Sequence, residues 1–360
     1  MGRFIAKRFW YGILVLLGVV TLVFFLFNVL PGDPARMMLG QRADMASVEA
    51  INRDLGRDKP LPVQFVNYLN DLSPVSFHDI ANKGSYWYLN PEKYGSTIRL
   101  LSFAGKHSIV LKEPYLRRSY QSKRNVSEIL LDGFINTLIL ALVSMAFAIV
   151  LGIAIGIVCA IKKNSFIDRI ALVFSVLGMS LPSFFAAILN AWIFAFVLAR
   201  FTGLNMTGSL YSVDDFGRGE YLDLKNLILP AFTLGIRPLA IIVELTRNSL
   251  LDVLSQDYIR TAKAKGLSKS KIILKHALKN ALNPVVTAIS GWLASLLAGA
   301  VFVEFVFDWK GIGVVIVNAL DKYDFPVVMG AVLLISVILI FINIFVDILY
   351  GLLDPRVRIQ

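Results

Sequence analysis

The chain has 360 residues, of which 56% are hydrophobic and 17% are charged, and its mean hydropathy is +0.67. Soluble domains carry about 45–50% apolar and about 25% charged residues, so this composition excludes an ordinary water-soluble domain and predicts a membrane protein. The formal net charge of +11 does not indicate nucleic-acid binding, because the basic residues flank apolar runs. One cysteine and three scattered histidines exclude a disulfide framework and argue against a His/Cys metal site.

Six apolar stretches are each long enough to cross a membrane. A bilayer core of roughly 30 Å needs about 20 helical residues, and such stretches lie at about Phe9–Leu30, Phe134–Ile161, Ile170–Leu198, Leu227–Val243, Val285–Val303 and Phe325–Leu349. The first is longer than a signal-peptide core, and the Pro31-Gly32-Asp33-Pro34 that follows is not a cleavage site. The sequence therefore predicts an all-α polytopic membrane protein with six transmembrane helices, of which the first is retained.

The positive charges predict the orientation of these helices. Sixteen Lys and Arg residues lie in the two termini and in the loops 162–169 and 247–279, whereas the short loops of the opposite side hold five. Short loops rich in Lys and Arg stay on the cytoplasmic side. Both termini are therefore predicted to be cytoplasmic, and residues 31–131 form a large extracytoplasmic loop between helices 1 and 2.

This outer loop is long enough to fold as a region of its own. Pro62–Leu69 has a helical pattern, Tyr86-Trp87-Tyr88 and Tyr94 form an aromatic cluster, and Ser108–Leu111 is β-prone. Two interpretations are equally open. The region forms a packed cap over the outer mouth of the bundle or a docking surface for a soluble partner, and one region can serve both roles.

Small and polar residues inside the spans predict close packing and a polar path. Gly152 and Gly156 have the G-x-x-x-G spacing that permits close approach of two helices. Pro182, with Ser180 and Ser183 beside it, marks a kink in the third span, which is expected to line the path.

Charged residues at mid-membrane are costly and therefore invite a functional hypothesis. Arg237 lies beside Pro238 in the fourth span, where it either faces a path and holds a carboxylate or bonds carbonyl groups freed by the proline kink. The other acidic residues lie near span ends and are expected to be structural: Asp132, Glu244, Glu304, Asp308 and Asp347.

The stretch Arg247–Pro284 is the most informative part of the sequence. One amphipathic helix is predicted by residues at i, i+4 spacing, which are Leu250, Leu254, Tyr258 and Ala262. Gly266 then permits a left-handed cap and a sharp reversal, and Ser268 is expected to cap a second helix with its side chain. That helix carries a basic stripe of Lys271, Lys275 and Lys279. Taken alone, the stretch also suits an interfacial segment that meets anionic lipid.

Motifs for catalysis are absent from the sequence. It contains no G-x-x-x-x-G-K-[ST], no G-x-S-x-G and no H-E-x-x-H. We therefore expect no catalytic residue, metal site or cofactor in this chain, and an intramembrane enzyme has no support.

The stretch YIRTAKAKGL…HALKNAL…P resembles the EAA loop of binding-protein-dependent ABC transporter permeases, in the version of the dipeptide/oligopeptide/nickel family. Arg260, Thr261 and Ala262 stand at the three EAA positions, and Gly266 is the glycine of the motif. Only Ala262 keeps the broad residue type, and the other substitutions resemble the peptide branch.

Both ends of the chain show the same resemblance, which covers residues 1–70 and 115–360. Pro31-Gly32-Asp33-Pro34-Ala35 resembles the signature after the first helix of these permeases, and Asp354-Pro355-Arg356 resembles their tail. Lys310 stands where the family often has proline, and residues 75–112 look like an insertion.

The resemblance implies the fold of a type I ABC importer permease and a role as the first of two permease subunits. In such importers the loop, here 246–284, docks into a separate ATPase subunit. The residues expected to make this contact are Asp257, Tyr258, Arg260, Thr261, Ala262, Lys265, Gly266 and Leu267. The residues expected to line the translocation path are Ser180, Pro182, Ser183 and Arg237.

The resemblance also implies the partners: a second homologous permease subunit, two ATPase subunits that bind ATP and Mg, an extracytoplasmic solute-binding protein and membrane lipid, with no nucleic acid. The implied cargo is a di- or oligopeptide or a related small solute such as a nickel chelate, and the implied location is the bacterial cytoplasmic (inner) membrane. The alternative is an ion-coupled secondary transporter or channel, which needs a coupling carboxylate or inverted repeats that the sequence does not clearly show.

The predicted organisation has four parts. Residues 1–30 form a cytoplasmic stub and the first helix, 31–131 form the extracytoplasmic region, 132–350 form helices 2–6 with the coupling loop, and 351–360 form a cytoplasmic tail.

Overall fold

The computed structural model describes residues 2–29, 49, 52, 58–82, 84–103, 105–214 and 219–353. Its helices are α1 Gly2–Val29, α2 Leu61–Leu72, α3 Pro91–Tyr94, α4 Val126–Ile161, α5 Phe166–Ser180, α6 Ser183–Asn190, α7 Ala199–Thr202, α8 Lys225–Leu254, α9 Asp257–Ala264, α10 Lys269–Lys271, α11 Leu278–Ala281, α12 Asn283–Gly299, α13 Val301–Phe307, α14 Ile312–Asp321 and α15 Phe325–Leu353. The π-helical segments Ala191–Val197 and Ile272–Ala277 continue α6 and α10. The strands are β1 Val75–Asp79, β2 Thr97–Phe103, β3 His107–Lys112, β4 Tyr211–Val213 and β5 Glu220–Leu222. The signatures at Pro31–Ala35 and Asp354–Arg356 lie outside the described residues.

The described residues contain between four and six candidate membrane spans. Four single helices are long and apolar enough, at Ala6–Phe27, Val126–Ile161, Lys225–Leu254 and Phe325–Ile348. Two bent pairs of helices pass the same test together, α5 with α6 and its π-helical extension, and α12 with α13, with bends of 114° and 56°. The number of six spans holds if each bent pair is one span, and all six predicted stretches coincide with these elements.

The predicted third span is not one straight helix. α5 ends at Ser180 and α6 begins at Ser183, and Leu181 between them is extended, with φ −71° and ψ 130°. The ring of Pro182 disfavours helical backbone at the residue before it. The kink expected at Pro182 is therefore confirmed, and it is sharp enough to be a break.

The structure divides into two compact units. The first comprises Met1–Leu14, Asp132–Val317 and Ile335–Gln360, and the second comprises Val15–Leu131 and Asn318–Leu334. In the first unit, buried apolar side chains of α4, α6, α8, α12 and α13 form the largest core, which includes Leu140, Ala187, Leu234, Leu296 and Phe307. Burying such side chains is the main stabilising contribution of this core.

Glycine residues bring α4 close to α8. A Cβ on Gly152 would lie 2.7 Å from Ile242 Cγ2, and a Cβ on Gly156 would lie 2.6 Å from Thr246 Cβ. The prediction that the G-x-x-x-G spacing permits close helix packing is confirmed. Gly178 plays the same part in α5, where a Cβ would lie 2.9 Å from Ile236 Cγ2.

The second unit contains a three-stranded antiparallel sheet in the order β1-β3-β2. The helical pattern of Pro62–Leu69 is confirmed in α2, and the β-prone Ser108–Leu111 lies in β3. β3 pairs with both neighbours, with Ser108 opposite His78 on one side and opposite Ser102 on the other. The helical class therefore describes the candidate membrane spans, and the segment predicted to be extracytoplasmic adds a small sheet to it.

Asp71 joins α2 to the rest of the second unit. Its Oδ1 accepts hydrogen bonds from Tyr94 Oη at 2.7 Å and from Lys93 Nζ at 3.1 Å, and its backbone oxygen accepts one from Lys112 Nζ at 2.5 Å. Burial lowers the pKa of Lys112 to about 8, although the Asp71 carboxylate opposes the shift. Removal of the strand that carries Lys112 would leave Asp71 buried without part of this network.

An ion pair joins α5 to α8 in the first unit. Arg247 Nε lies 2.6 Å from Asp168 Oδ1, and Arg247 Nη2 lies 2.8 Å from Asp168 Oδ2. The two side chains are 14% and 2% exposed. Ser165 caps α5 by accepting from Asp168 N, and Asn164 N donates to the same carboxylate at 2.8 Å. This fork geometry, with both oxygens occupied, is the strong form of a carboxylate–guanidinium pair.

We predict that loss of one partner of this pair is more damaging than loss of both. Asp168→Asn and Arg247→Gln are each expected to lower the free energy of unfolding by about 3–5 kcal/mol, because each leaves a buried charge uncompensated. The double variant is expected to lose less than the sum of the two. Titration with a denaturing detergent measures the double-mutant cycle.

The exposed pair Arg124–Glu128, with N and O 3.9 Å apart, is the matched control. Its cycle is expected to give at most about 1 kcal/mol of coupling. Equal coupling energies for the two pairs would contradict the prediction.

Candidate coupling segment and membrane cavity

The segment after α8 is a short helix, a glycine reversal and a second helix. The prediction of one helix from Leu250 to Ala262 is wrong, because α8 ends at Leu254 and α9 begins at Asp257. Gln256 between them is extended, with φ −74° and ψ 151°. An extended residue changes the angular phase of the next helix, so the i, i+4 spacing does not continue across it.

The change of phase decides which side chains of α9 are buried. Ile259 and Ala262 are buried, whereas Tyr258 is 42% exposed. The hydroxyl of Tyr258 accepts a hydrogen bond from Asn280 Nδ2 at 2.9 Å, so the exposed ring connects α9 to α11.

Gly266 ends this first part with a left-handed residue, as predicted. Its φ is +73°, Gly266 N donates to Lys263 O at 3.0 Å, and Leu267 N donates to Ala262 O at 3.4 Å. These two bonds form the Schellman pattern of helix termini. A Cβ on Gly266 would have no neighbour within 4 Å, so its constraint is the backbone angle alone.

The second helix begins differently from the prediction. Ser268 makes no side-chain capping bond, so that prediction is wrong. Its backbone oxygen instead accepts the first helical bond from Ile272 N at 3.0 Å. The predicted basic stripe, Lys271, Lys275 and Lys279, is exposed along this helix.

Apolar side chains fix the segment to the ends of two long helices. Ile259, Ala262 and Ile272 form one buried cluster with Ala160 at the end of α4 and Leu250 near the end of α8. Ala277 and Ala281 complete the buried face. A force on the segment is therefore applied to α4 and α8 through close-packed contacts.

The eight predicted docking residues fall into two groups. Ala262 is buried and Leu267 is half-buried, and both pack in the cluster that anchors the segment. The other six are exposed: Asp257, Tyr258, Arg260, Thr261, Lys265 and Gly266. Arg260 also forms an exposed ion pair with Asp257 at 3.3 Å.

A cavity of about 230 Å³ lies among α5, α6, α8 and α12. Of the four predicted path residues it brings together Ser183 and Arg237, whereas Ser180 and Pro182 are not in its lining. Ser180 Oγ instead donates to Val176 O at 2.8 Å within α5. The rest of the lining includes Leu181, Asn190, Thr233, Trp292 and Ser295.

Arg237 does not bond a carbonyl of its own helix. Its Nη2 donates to Met179 O, in the last turn of α5, at a long 3.4 Å. The bonded carbonyl belongs to the neighbouring helix. This contact is therefore not the predicted bond to carbonyl groups freed by the proline kink in the fourth span.

Two buried polar residues that line the same cavity as Arg237 were not predicted from the sequence. Asn190 Nδ2 donates to Thr233 Oγ1 at 3.0 Å, and both side chains are buried. Each is a polar residue inside an apolar run, which is a signal that the sequence carries. The contact between these two residues, which are 43 positions apart, cannot be read from the sequence.

Glu304 is held in a backbone cradle. Its Oε1 accepts from Thr137 Oγ1 at 2.6 Å, and its Oε2 accepts from Gly313 N at 2.7 Å. Ile312 N donates to the same Thr137 hydroxyl at 2.9 Å. A Cβ on Gly311 or Gly313 would collide with the carboxylate. The structural role expected for Glu304 is confirmed, and it explains the spacing of the two glycines.

Comparison with known proteins agrees with this architecture. The family model "Binding-protein-dependent transport system inner membrane component" matches residues 152–359, and the model for the N-terminal part of such membrane components matches residues 1–84. A glutathione transport system permease protein of Pectobacterium atrosepticum is 37% identical over 358 residues, with 99% of each chain covered.

Two further relatives align over the whole of both chains. A di/tripeptide transport system permease protein of Pseudomonas aeruginosa is 34% identical over 375 residues, and a putative peptide permease protein of Brucella suis is 33% identical over 361 residues. Among solved structures, the MetNI methionine ABC transporter in inward-facing conformation matches 63% of this chain and 97% of that one, with a TM-score of 0.48 and 19% identity. The full-length relatives and the match over residues 152–359 decide the assignment: the chain belongs to the family of binding-protein-dependent transport system inner membrane components.

Proposed function

We propose that this chain is one of two permease subunits in an ATP-driven importer for peptides or a related small solute. The observation that carries this proposal is the segment 257–281, which exposes one face and packs its other face onto the ends of α4 and α8. Relatives of the same length are named as permease proteins for dipeptides, di/tripeptides and glutathione, which supports a peptide-like cargo.

The exposed face of the segment is the proposed contact with an ATPase subunit. We infer two such subunits, which bind ATP and Mg, together with a second homologous permease and an extracytoplasmic solute-binding protein. The chain itself is not an enzyme in this proposal, and it binds no cofactor.

Transmission of the ATP-driven movement follows from the packing of the segment. When the ATPase subunits close, they displace α9 and the following helix, and the buried cluster carries this displacement into α4 and α8. The Asp168–Arg247 pair then carries it from α8 to α5, whose far end borders the cavity. Two packed arrangements of these helices would give the inward-open and outward-open states.

Strand β2 supports the docking interpretation of the outer segment. It is an edge strand of the sheet, and its large apolar side chains Ile98, Leu101 and Phe103 are 64%, 58% and 50% exposed. Among the described residues no strand pairs with the outer edge of β2, and exposed apolar residues on an edge strand are characteristic of an interaction surface. We propose that the solute-binding protein contacts this edge.

The first prediction from the proposed function concerns topology. Reporters fused after Ser165 and after Ser268 are expected to give cytoplasmic signals, because these loops carry the excess of Lys and Arg. Reporters after Gly105 and Val213 are expected to give outside signals. A cytoplasmic signal from the reporter after Gly105 would contradict the orientation.

The second prediction concerns Gly266. Gly266→Val is expected to uncouple ATP hydrolysis from uptake. A left-handed backbone costs a β-branched residue about 1–2 kcal/mol, so valine would change the backbone angles of the reversal and thereby reorient α9. Uptake, ATPase rate and subunit stoichiometry of the purified complex are the measurements.

Gly266→Asn is the matched control, since asparagine tolerates left-handed backbone and should keep most of the coupling. The open space around Gly266 means that side-chain size alone is not the cause. Normal uptake and normal stimulated ATPase with Gly266→Val would overturn the coupling assignment.

The third prediction tests the docking edge without deleting the sheet. Leu101→Ser with Phe103→Ser is expected to lower binding-protein-stimulated ATPase and uptake while leaving basal ATPase unchanged, because apolar anchors dominate interface energetics. Val75→Ser is the control, since Val75 is 52% exposed on the opposite edge strand. An equal loss from the control variant would place docking elsewhere.

A further inference from the structure

Arg237 has no anionic partner among the described residues. Arg237 lies in the candidate span Lys225–Leu254, and a charged side chain in a membrane span is energetically costly. The guanidinium has five N–H donors, and the structure gives it the single long bond to Met179 O. Throughout residues 58–82, 84–103, 105–214 and 219–353, no carboxylate forms an ion pair with it.

The surroundings of Arg237 suit a polar ligand rather than lipid. Ser183, Asn190, Thr233 and Ser295 add neutral donors and acceptors to the same cavity. Binding pockets typically combine an apolar wall with a few convergent polar groups, and Trp292 with Leu181, Leu189 and Leu296 supplies that wall.

The size of the cavity limits what it can enclose. Pockets for drug-sized ligands are about 300–1,000 Å³, whereas this cavity holds about 230 Å³. It therefore fits one end of a cargo molecule and not a whole oligopeptide. The guanidinium group of Arg237 at the cavity wall is complementary in charge to an anionic end of a cargo molecule.

We propose that Arg237 binds the carboxylate of the transported solute, such as the free C-terminal carboxylate of a peptide, as a specificity-determining contact inside the permease. The proposal rests on the proposed transport function. The guanidinium exchanges its long bond to Met179 O for a charge-assisted pair with the carboxylate. The Asn190–Thr233 pair and Ser295 face the adjoining part of the solute.

Binding is tested directly on the wild-type complex in membranes, by modifying arginine with phenylglyoxal and quantifying the peptide that contains Arg237 by mass spectrometry. The probes are N-acetyl-dialanine and its C-terminal amide, which differ in the carboxylate alone. The acid is expected to slow modification of Arg237 at least five-fold, and the amide to leave the rate unchanged.

Uptake of labelled dialanine gives the second arm. A hydrogen bond to a charged group contributes about 1.5–3 kcal/mol, so Arg237→Gln is expected to lower uptake about 10- to 150-fold, and Arg237→Lys is expected to lose less. Arg200→Gln is the matched control, because Arg200 is an exposed arginine in α7 and is not in the cavity lining. Its uptake should stay within two-fold of wild type.

The outcomes separate this proposal from the proposed function. Protection by the acid together with absent wild-type dialanine uptake would reject the peptide cargo and keep the carboxylate site. Equal protection by acid and amide, or no protection by either, would overturn the site. Arg237 that reacts only after separation from the complex would also overturn it, because a carboxylate of a partner subunit would then be the occupant.

Discussion

The close packing of α8 against its neighbours is the constraint on which the rest of the structure depends. Gly152 and Gly156 leave no room for a side chain between α4 and α8, and Gly178 does the same for α5. The Asp168–Arg247 pair adds a fixed point at the first turn of α5. Because close-packed interiors deform little, a displacement of α8 must displace α4 and α5 with it.

This packing explains how the coupling segment is connected to the membrane helices. The segment uses its small and aliphatic residues to hold α4 and α8, so its polar residues on the other face remain accessible to a partner. Further along α8, Arg237 borders a cavity that is also lined by Leu181, at the break between α5 and α6. One closely packed group of helices therefore connects the surface proposed to contact an ATPase subunit with the space proposed to bind a solute. Glu304 and its glycine cradle fix the turn before α14 to α4 in a similar way.

The sequence is sufficient to predict the local backbone conformation where a single residue determines it. Gly266 is left-handed and Pro182 breaks a helix, and both follow from steric properties of one residue. The sequence was insufficient at the break between α8 and α9, because Leu254-Ser255-Gln256-Asp257 contains no glycine or proline and the apolar spacing runs through it. It was also insufficient for contacts such as Thr137–Glu304, whose partners are 167 positions apart. The edge strand β2 lacks a clean alternation of polar and apolar residues, so its sheet became visible only through its pairing with β3.

Cysteine crosslinking from the coupling segment in the assembled transporter tests the central claim most directly. The one native cysteine, Cys159, is buried, so Arg260→Cys on the exposed face of α9 and Val213→Cys in β4 each add one accessible thiol. The account predicts that Arg260→Cys crosslinks to an ATPase subunit with a yield that changes when ATP is added, and that Val213→Cys does not crosslink to it. Crosslinking of the ATPase subunit from Val213→Cys and not from Arg260→Cys would contradict the account.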